Sequence, residues 1–257
     1  MIVDFYKFQG TGNDFIMIDD RGEDFDTEDS VLIKSLCERR FGIGSDGLIL
    51  LQNHEEFDFE MIFFNSTGEK STFCGNGGRC IISFAHLLGI FNKNCKFMAY
   101  DGMHEGSIDK DMVSLKMADV KEVDVREDSV VLDTGSPHLV KLVGNVKTIN
   151  VLNKGKKLRF SKEFGDYGIN VNFAEVNERI SIRTYERGDE MESLSCGTGS
   201  VATAIALYEI GKTDDKEINI HTTGGELKVS FNHDGKKYTN IWLSGESSMV
   251  YSGEFEC

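Results

Sequence analysis

Two stretches of this chain repeat one local design, and that repetition constrains the fold more than any bulk property. The first reads F73-C74-G75-N76-G77-G78-R79-C80 and soon becomes the apolar run ISFAHLLGI; the second reads L194-S195-C196-G197-T198-G199-S200 and becomes VATAIALYEIG. Each sets a cysteine immediately before Gly-x-Gly and then a helix-forming segment, with the two cysteines 122 residues apart. Both segments are apolar on nearly every face, and a helix apolar all round belongs inside a protein rather than on its surface. The chain must therefore enclose two helices, each within its own wrapping of strands.

Strands are plentiful. Short β-rich runs recur as FYKF, DFIMID, GLILL, FEMIFF, SIDKDMVSLKM, VVLD, HLVKLV, ISIRTYE, INIHTT and LKVSF, among frequent glycines and a single proline, Pro137. A further helix is expected over 27–40, TEDSVLIKSLCERR, with Thr27 or Ser30 as its cap. Strands outnumber helices without regular alternation, which points to α+β rather than to βαβ units. The halves also match in order. Thr11-Gly12-Asn13 parallels Thr134-Gly135-Ser136 at an offset of 123, FGIGSDGLILL (41–51) parallels YGINVNFAEV (167–176), and MIFFN precedes Cys74 as IRTYE precedes Cys196. A common order at a near-constant offset indicates internal duplication. The expected architecture is two pseudo-symmetric domains, each a β-barrel-like mixed sheet wrapped around a central helix. The first covers 1–119 and carries Cys74; the second covers 120–247 and carries Cys196. The acidic ADVKEVDVRED (118–128) lies at the boundary, and the tail from about 248 to 257 returns to the first domain.

The charge balance narrows the function. The net charge is −15, with 43 acidic residues against 28 basic ones, so the basic face that phosphate neutralisation needs is missing. No run approaches the ~18 apolar residues of a membrane span, and MIVDFYKFQG lacks the pattern of a secretory signal. A small-molecule substrate in the cytoplasm is expected, with neither nucleic acid nor membrane as partner. The six cysteines (37, 74, 80, 95, 196 and 257) are sparse and irregular, unlike a disulfide framework, and the histidines show no ligand spacing. No metal is expected. Cys37, Cys80 and Cys95 read as packing residues, and Cys257 as a free terminal thiol.

The repeated device carries chemistry of its own. A helix N-terminus leaves about four backbone N–H groups without partners and bears roughly half a positive charge, so it accepts a carboxylate from the backbone alone. Glycine lets the ligand come close. A cysteine in the same field has its pKa drawn down from about 8.5. Gly75 and Asn76, and Gly197 and Thr198, would hold a carboxylate through their N–H groups beside a reactive thiol. If a pseudo-twofold axis brings the N-termini together, Cys74 and Cys196 face one ligand from opposite sides. That arrangement suits inversion of a stereocentre without a cofactor, one thiolate removing a proton and one thiol delivering another.

On these motifs the chain resembles the diaminopimelate epimerases over nearly its whole length: GTGNDF (10–15), RRFGIGSDGLIL (39–50), FFN-x-x-G (63–68), CGNGGRC (74–80), SPH (136–138), INVNF (169–173), YERG (185–188) and SCGTG (195–199). The resemblance implies a cofactor-independent isomerase that interconverts LL- and meso-diaminopimelate in lysine and peptidoglycan precursor synthesis. It implies Cys74 and Cys196 as the acid/base pair, and Gly75, Asn76, Gly197 and Thr198 at the reacting carboxylate. Asn13, Asn65, Asn170 and Arg187 match positions that contact substrate, largely its distal amino-carboxylate end. His138 and Glu186 match residues that tune the thiols or meet the distal ammonium. The chain departs from the pattern at Ser136, where many members have Asn, and at Gly47, where some have Gln; its 187–195 loop is one residue longer. A proline- or hydroxyproline-type racemase is the alternative with the same two-cysteine plan, and a homodimer is an assembly open to the chain.

Overall fold

The computed structural model describes residues 2–256; Met1 and Cys257, the expected terminal thiol, lie outside the described residues. The elements run β1 (Ile2–Gly10), β2 (Asn13–Asp19), α1 (Ser30–Cys37), β3 (Gly47–Gln52), β4 (Phe59–Asn65), α2 (Gly75–Leu87), β5 (Asn94–Ala99), β6 (Gly102–Asp109) and β7 (Met112–Met117). They continue through β8 (Val123–Val125), β9 (Val130–Asp133), β10 (Pro137–Leu142), α3 (Val151–Arg159), β11 (Asn170–Val176), β12 (Ile180–Glu186), β13 (Met191–Ser193), α4 (Gly197–Glu209), β14 (Glu217–Thr222), β15 (Gly225–His233), β16 (Tyr238–Glu246) and β17 (Ser248–Glu256). The chain divides into two compact units: one contains the residues up to Leu115 and those from Gly245 onward, the other Lys116–Ser244.

The two units share a pairing scheme. In the first, β1 pairs antiparallel with β17 and β2, then β2–β3 is parallel, β3–β4 antiparallel, β4–β5 parallel and β5–β6 antiparallel. In the second, β9–β10 is antiparallel, β10–β11 parallel, β11–β12 antiparallel, β12–β14 parallel and β14–β15 antiparallel. A parallel pair needs a crossover, and both crossovers in each unit are helical. In the first unit α1 joins β2 to β3 and α2 joins β4 to β5; in the second α3 joins β10 to β11 and α4 follows β12 on the way to β14. The expected duplication is therefore present in the order and direction of the strands.

Strand alternation explains the layering. Ile16, Ile18, Leu48 and Leu50 pack with Ile33 and Leu36 of α1, whereas Phe15, Ile49 and Met61 meet Gly77 of α2 on the opposite face. Likewise Val171 and Phe173 join Val151 of α3, while Ala174 and Ile182 join Val201, Ala204 and Ile205 of α4. Each unit thus has a central helix, a sheet wrapped around it and an outer helix. The central helices are buried throughout their working length, residues 76–85 of α2 and 199–207 of α4. Burying a side chain such as Phe84 in that setting contributes roughly 1.5–3 kcal/mol.

The outer helices differ from expectation. The helix expected over 27–40 is confined to Ser30–Cys37, and its cap is Asp29, whose carboxylate accepts from Leu32 N–H at 2.9 Å. It stops at Cys37 because the following loop folds back: Gly44 and Ser45 donate to the carbonyls of Leu36 and Cys37 at 2.9 and 3.0 Å. The α3 helix, VLNKGKKLR, has too few apolar residues to stand out in sequence. Asn150 caps it through Asn153 N–H at 3.0 Å. Its Gly155 admits close approach to β12, since a Cβ there would fall 2.4 Å from Tyr185 Cβ.

Candidate active site

The two cysteines cap their helices in nearly the same conformation. Cys74 caps α2 with φ −127° and ψ 121°, and Cys196 caps α4 with φ −125° and ψ 113°; neither side chain makes a capping hydrogen bond. The first helical bonds run from Gly78 N–H to Cys74 O at 2.7 Å and from Ser200 N–H to Cys196 O at 2.9 Å. The three N–H groups after each cysteine therefore precede the intrahelical ladder, which makes each cap an anion-accepting terminus. The turn ahead of β2 is repeated ahead of β10, with Gly12 at φ 87° and Gly135 at φ 97°.

In the first unit, Asn13 opens β2 and organises the surroundings of Cys74. Its Oδ1 accepts from Cys74 Sγ at 3.6 Å and from Asn76 Nδ2 at 3.2 Å, while its Nδ2 donates to Asp46. Asp46 is in turn paired with Arg39, and Arg39 with Asp14, both at 2.6 Å; Lys7 also pairs with Asp14 at 2.7 Å. Burial alone would raise the Asp14 carboxyl, but the hydrogen bonds from Arg39 and Lys7 hold it down at about 2. Arg79, fully buried, donates to Thr11 Oγ1 at 2.8 Å and to Asn76 Oδ1 at 3.0 Å, which orients the Asn76 amide toward Asn13.

In the second unit, Cys196 lies at the end of a polar chain. Thr184 Oγ1 donates to Asn172 Oδ1 at 2.9 Å, so the Asn172 amide nitrogen faces His138 Nδ1, also at 2.9 Å. That leaves His138 Nε2 to donate to Thr198 Oγ1 at 2.9 Å, and Thr198 Oγ1 lies 3.5 Å from Cys196 Sγ. The imidazole is fully buried, and burial, reinforced by Arg187, pushes its pKa down to about 3. It is therefore a neutral ring held in one tautomer. Glu186 ends β12 close to Cys196, and burial raises its carboxyl above the usual range.

The remaining sequence-derived candidates take varied roles. Asn65 ends β4, and its Oδ1 accepts from Thr67 N–H, Thr67 Oγ1 and Glu69 N–H at 2.9, 2.6 and 3.1 Å, so its oxygen is committed to its own turn. Asn170, buried at the start of β11, donates to Ser136 Oγ at 2.7 Å and accepts from Arg187 N–H at 2.8 Å; it ties three candidate segments together. The Arg187 guanidinium sits 4.1 Å over the Tyr167 ring. Among the described residues it has no carboxylate partner. Gly47 is demanded locally, because a Cβ there would lie 2.5 Å from Phe64 O and 2.7 Å from the Phe63 ring. Among the described residues no group of three or more His, Cys, Asp or Glu could hold a metal ion.

Sequence reading missed Asn172, Thr184 and Arg79. A signal existed for Asn172: it sits two residues from Asn170, on the face of β11 that carries Ala174 toward the central helix, where an apolar residue is the rule.

A chain of two α+β repeats, each enclosing a cysteine-capped helix, has the two-domain fold of solved PhzF-family, epimerase and racemase structures. It superposes on a PhzF-family phenazine biosynthesis protein from Bacillus anthracis with a TM-score of 0.79 at 14% identity, covering all of both chains. A hydroxyproline epimerase from Agrobacterium vitis follows with a TM-score of 0.72 at 12% identity, covering 98% of this chain and 92% of that one. Sequence is more specific than fold. The diaminopimelate epimerase family model matches residues 5–122 and 130–250. The chain is 49% identical to the diaminopimelate epimerase of Flavobacterium psychrophilum over 96% of its own length and 97% of that protein's, and 40% identical to that of Chlorobaculum tepidum over 95% and 98%. The chain belongs to the diaminopimelate epimerase family.

Proposed function

We propose that this protein is an isomerase that interconverts LL- and meso-diaminopimelate by exchanging the proton on one α-carbon. The observation that carries the reading is the pair of cysteine-capped buried helices with matching cap dihedrals, in a chain of this family. Inversion requires one base and one acid acting on opposite faces of the same carbon, and Cys74 and Cys196 divide that work. The N–H groups of Gly75 and Asn76, and of Gly197 and Thr198, hold the reacting carboxylate and the negative charge that develops on it as the α-proton leaves.

Asn13 orients Cys74, while Thr198 and Glu186 orient Cys196. His138 stays neutral and fixes the Thr198 hydroxyl. Arg187 offers its planar fork to the distal carboxylate, supported by a guanidinium that stacks on Tyr167, donates to the Tyr167 carbonyl at 3.4 Å and has no carboxylate partner among the described residues. Asn170 positions the Arg187 backbone, and Asn65 offers its amide nitrogen to the substrate. The substrate is a small diamino diacid. No cofactor enters the scheme, and the enzyme acts in the cytoplasm, where thiols stay reduced.

Incubation with LL-diaminopimelate in deuterated water tests the reading. Deuterium at an α-carbon, accompanied by the meso isomer, is the expected result. Uptake into proline or hydroxyproline, with none into diaminopimelate, would overturn it in favour of the alternative racemase.

A further inference from the structure

The two repeats treat their cysteines differently, and the difference lies in one residue. Arg79 stands five positions after Cys74; the same place after Cys196 holds Val201. Arg79 is 0% exposed, yet its hydrogen bonds go to neutral oxygens only: Thr11 Oγ1, Asn76 Oδ1 and, at 3.5 Å, the carbonyl of Gly75. Its Nε has no partner. Among the described residues no carboxylate lies within ion-pair distance of it. A buried guanidinium without an anion is costly, so the structure must supply one when the site is at rest.

The charged groups on the elements packed around α2 are otherwise accounted for. Lys7, Asp14, Arg39 and Asp46 pair among themselves, two cations with two anions. On β6, His104 pairs with Asp101 and Glu105 is itself engaged. Asp4, Asp109, Glu254 and Glu256 are exposed. The neighbouring Cys80 thiol is pushed up to about 12 by burial and stays neutral. Cys74 remains, and it is joined to Arg79 through Asn13 and Asn76: Cys74 Sγ and Asn76 Nδ2 meet on Asn13 Oδ1, while Arg79 holds Asn76 Oδ1. In the second unit the neighbouring group is acidic instead: the Glu186 carboxyl interacts with Cys196, and no buried arginine follows that cysteine.

We propose that Arg79 is a positioning residue that makes Cys74 the resting thiolate, and that Val201 in its place in the second repeat, together with Glu186, leaves Cys196 as the resting thiol. The inference rests on the epimerase reading for its functional meaning. It assigns the direction the free enzyme is poised to run: Cys74 withdraws the first proton and Cys196 delivers one.

The test is the pH profile of alkylation by iodoacetamide, followed peptide by peptide by mass spectrometry for Cys74 and Cys196 between pH 5 and 10. In the unaltered protein the Cys74 midpoint should lie at least one pH unit below that of Cys196. Arg79→Met should raise the Cys74 midpoint by at least one unit and leave Cys196 unmoved, and Arg79→Lys should restore most of the difference. A merely structural role would slow or speed both thiols without moving one midpoint. Equal midpoints in the unaltered protein, or an unmoved Cys74 midpoint in a folded Arg79→Met variant, would overturn the proposal. If Arg79→Met does not fold, the midpoints of the unaltered protein and of Arg79→Lys decide. The assay uses no substrate, so failure of the epimerase reading would appear separately, in the deuterium experiment.

Discussion

Lowering the pH should destabilise this protein through His138 in particular. The ring is fully buried, and its pKa is depressed from 6.5 to about 3. The unfolded chain therefore binds a proton near pH 6.5 that the folded chain refuses until about pH 3, so stability is fully present above 6.5 and is lost as the pH falls toward 3. Between pH 7 and pH 5 the folded ring stays neutral while the unfolded one becomes about 97% protonated, which removes about 2 kcal/mol. Glu186 works in the opposite sense over part of this range, because its carboxyl is raised, so a comparison is needed to isolate the histidine. His138→Gln provides it: an amide can still accept from Asn172 and donate to Thr198, but it does not titrate. Urea unfolding at pH 7 and pH 5 should show the unaltered protein losing about 2 kcal/mol more than the variant. Equal losses in the two proteins would refute the assignment of a buried, neutral imidazole.

Three further outcomes follow from the same geometry. Cys74→Ala and Cys196→Ala should each lower two-way epimerisation by at least about 100-fold, since each removes the proton transfer on one face; substantial interconversion by either variant, measured by the approach to equilibrium from both isomers, would refute the two-base scheme. Gly199→Ala would bring a Cβ to within 2.3 Å of Asn172 Oδ1, which should cost about 1–3 kcal/mol in denaturant unfolding and disturb the chain from Thr184 to Cys196; an unchanged midpoint would show that Asn172 is free to move. Arg187→Met should raise KM for diaminopimelate at least about tenfold with little effect on the melting temperature; a loss of stability with unchanged KM would make Arg187 a structural residue.

The most legible parts of the sequence were those in which cause and effect lie within a few residues. A cysteine followed by Gly-x-Gly and an apolar run specifies a capped, buried helix by itself, and α2 and α4 begin within a residue or two of where that pattern places them. The two central helices, the strand-rich α+β character and the duplication were readable for the same reason. The α3 helix was not, because its nine residues are mostly polar and its Gly155 reads as a helix breaker. Only packing shows that this glycine lets the helix sit on Tyr185. The duplication held the missing clue, since α1 already occupies the equivalent crossover in the first unit.

What the sequence determined, then, was the device: two thiols, each at the positive end of a helix that must be buried because it has no polar face. What only the tertiary structure decided was the environment of each thiol. Asn13 comes to Cys74 from 61 residues away, and Thr198 is met by His138 from 60 residues away. Such pairings depend on which strands lie side by side and on which face of a strand each residue falls. Charge near a thiol acts through space, and a buried Arg79 near one thiol with a half-buried Glu186 near the other gives two nearly identical caps opposite electrostatic surroundings.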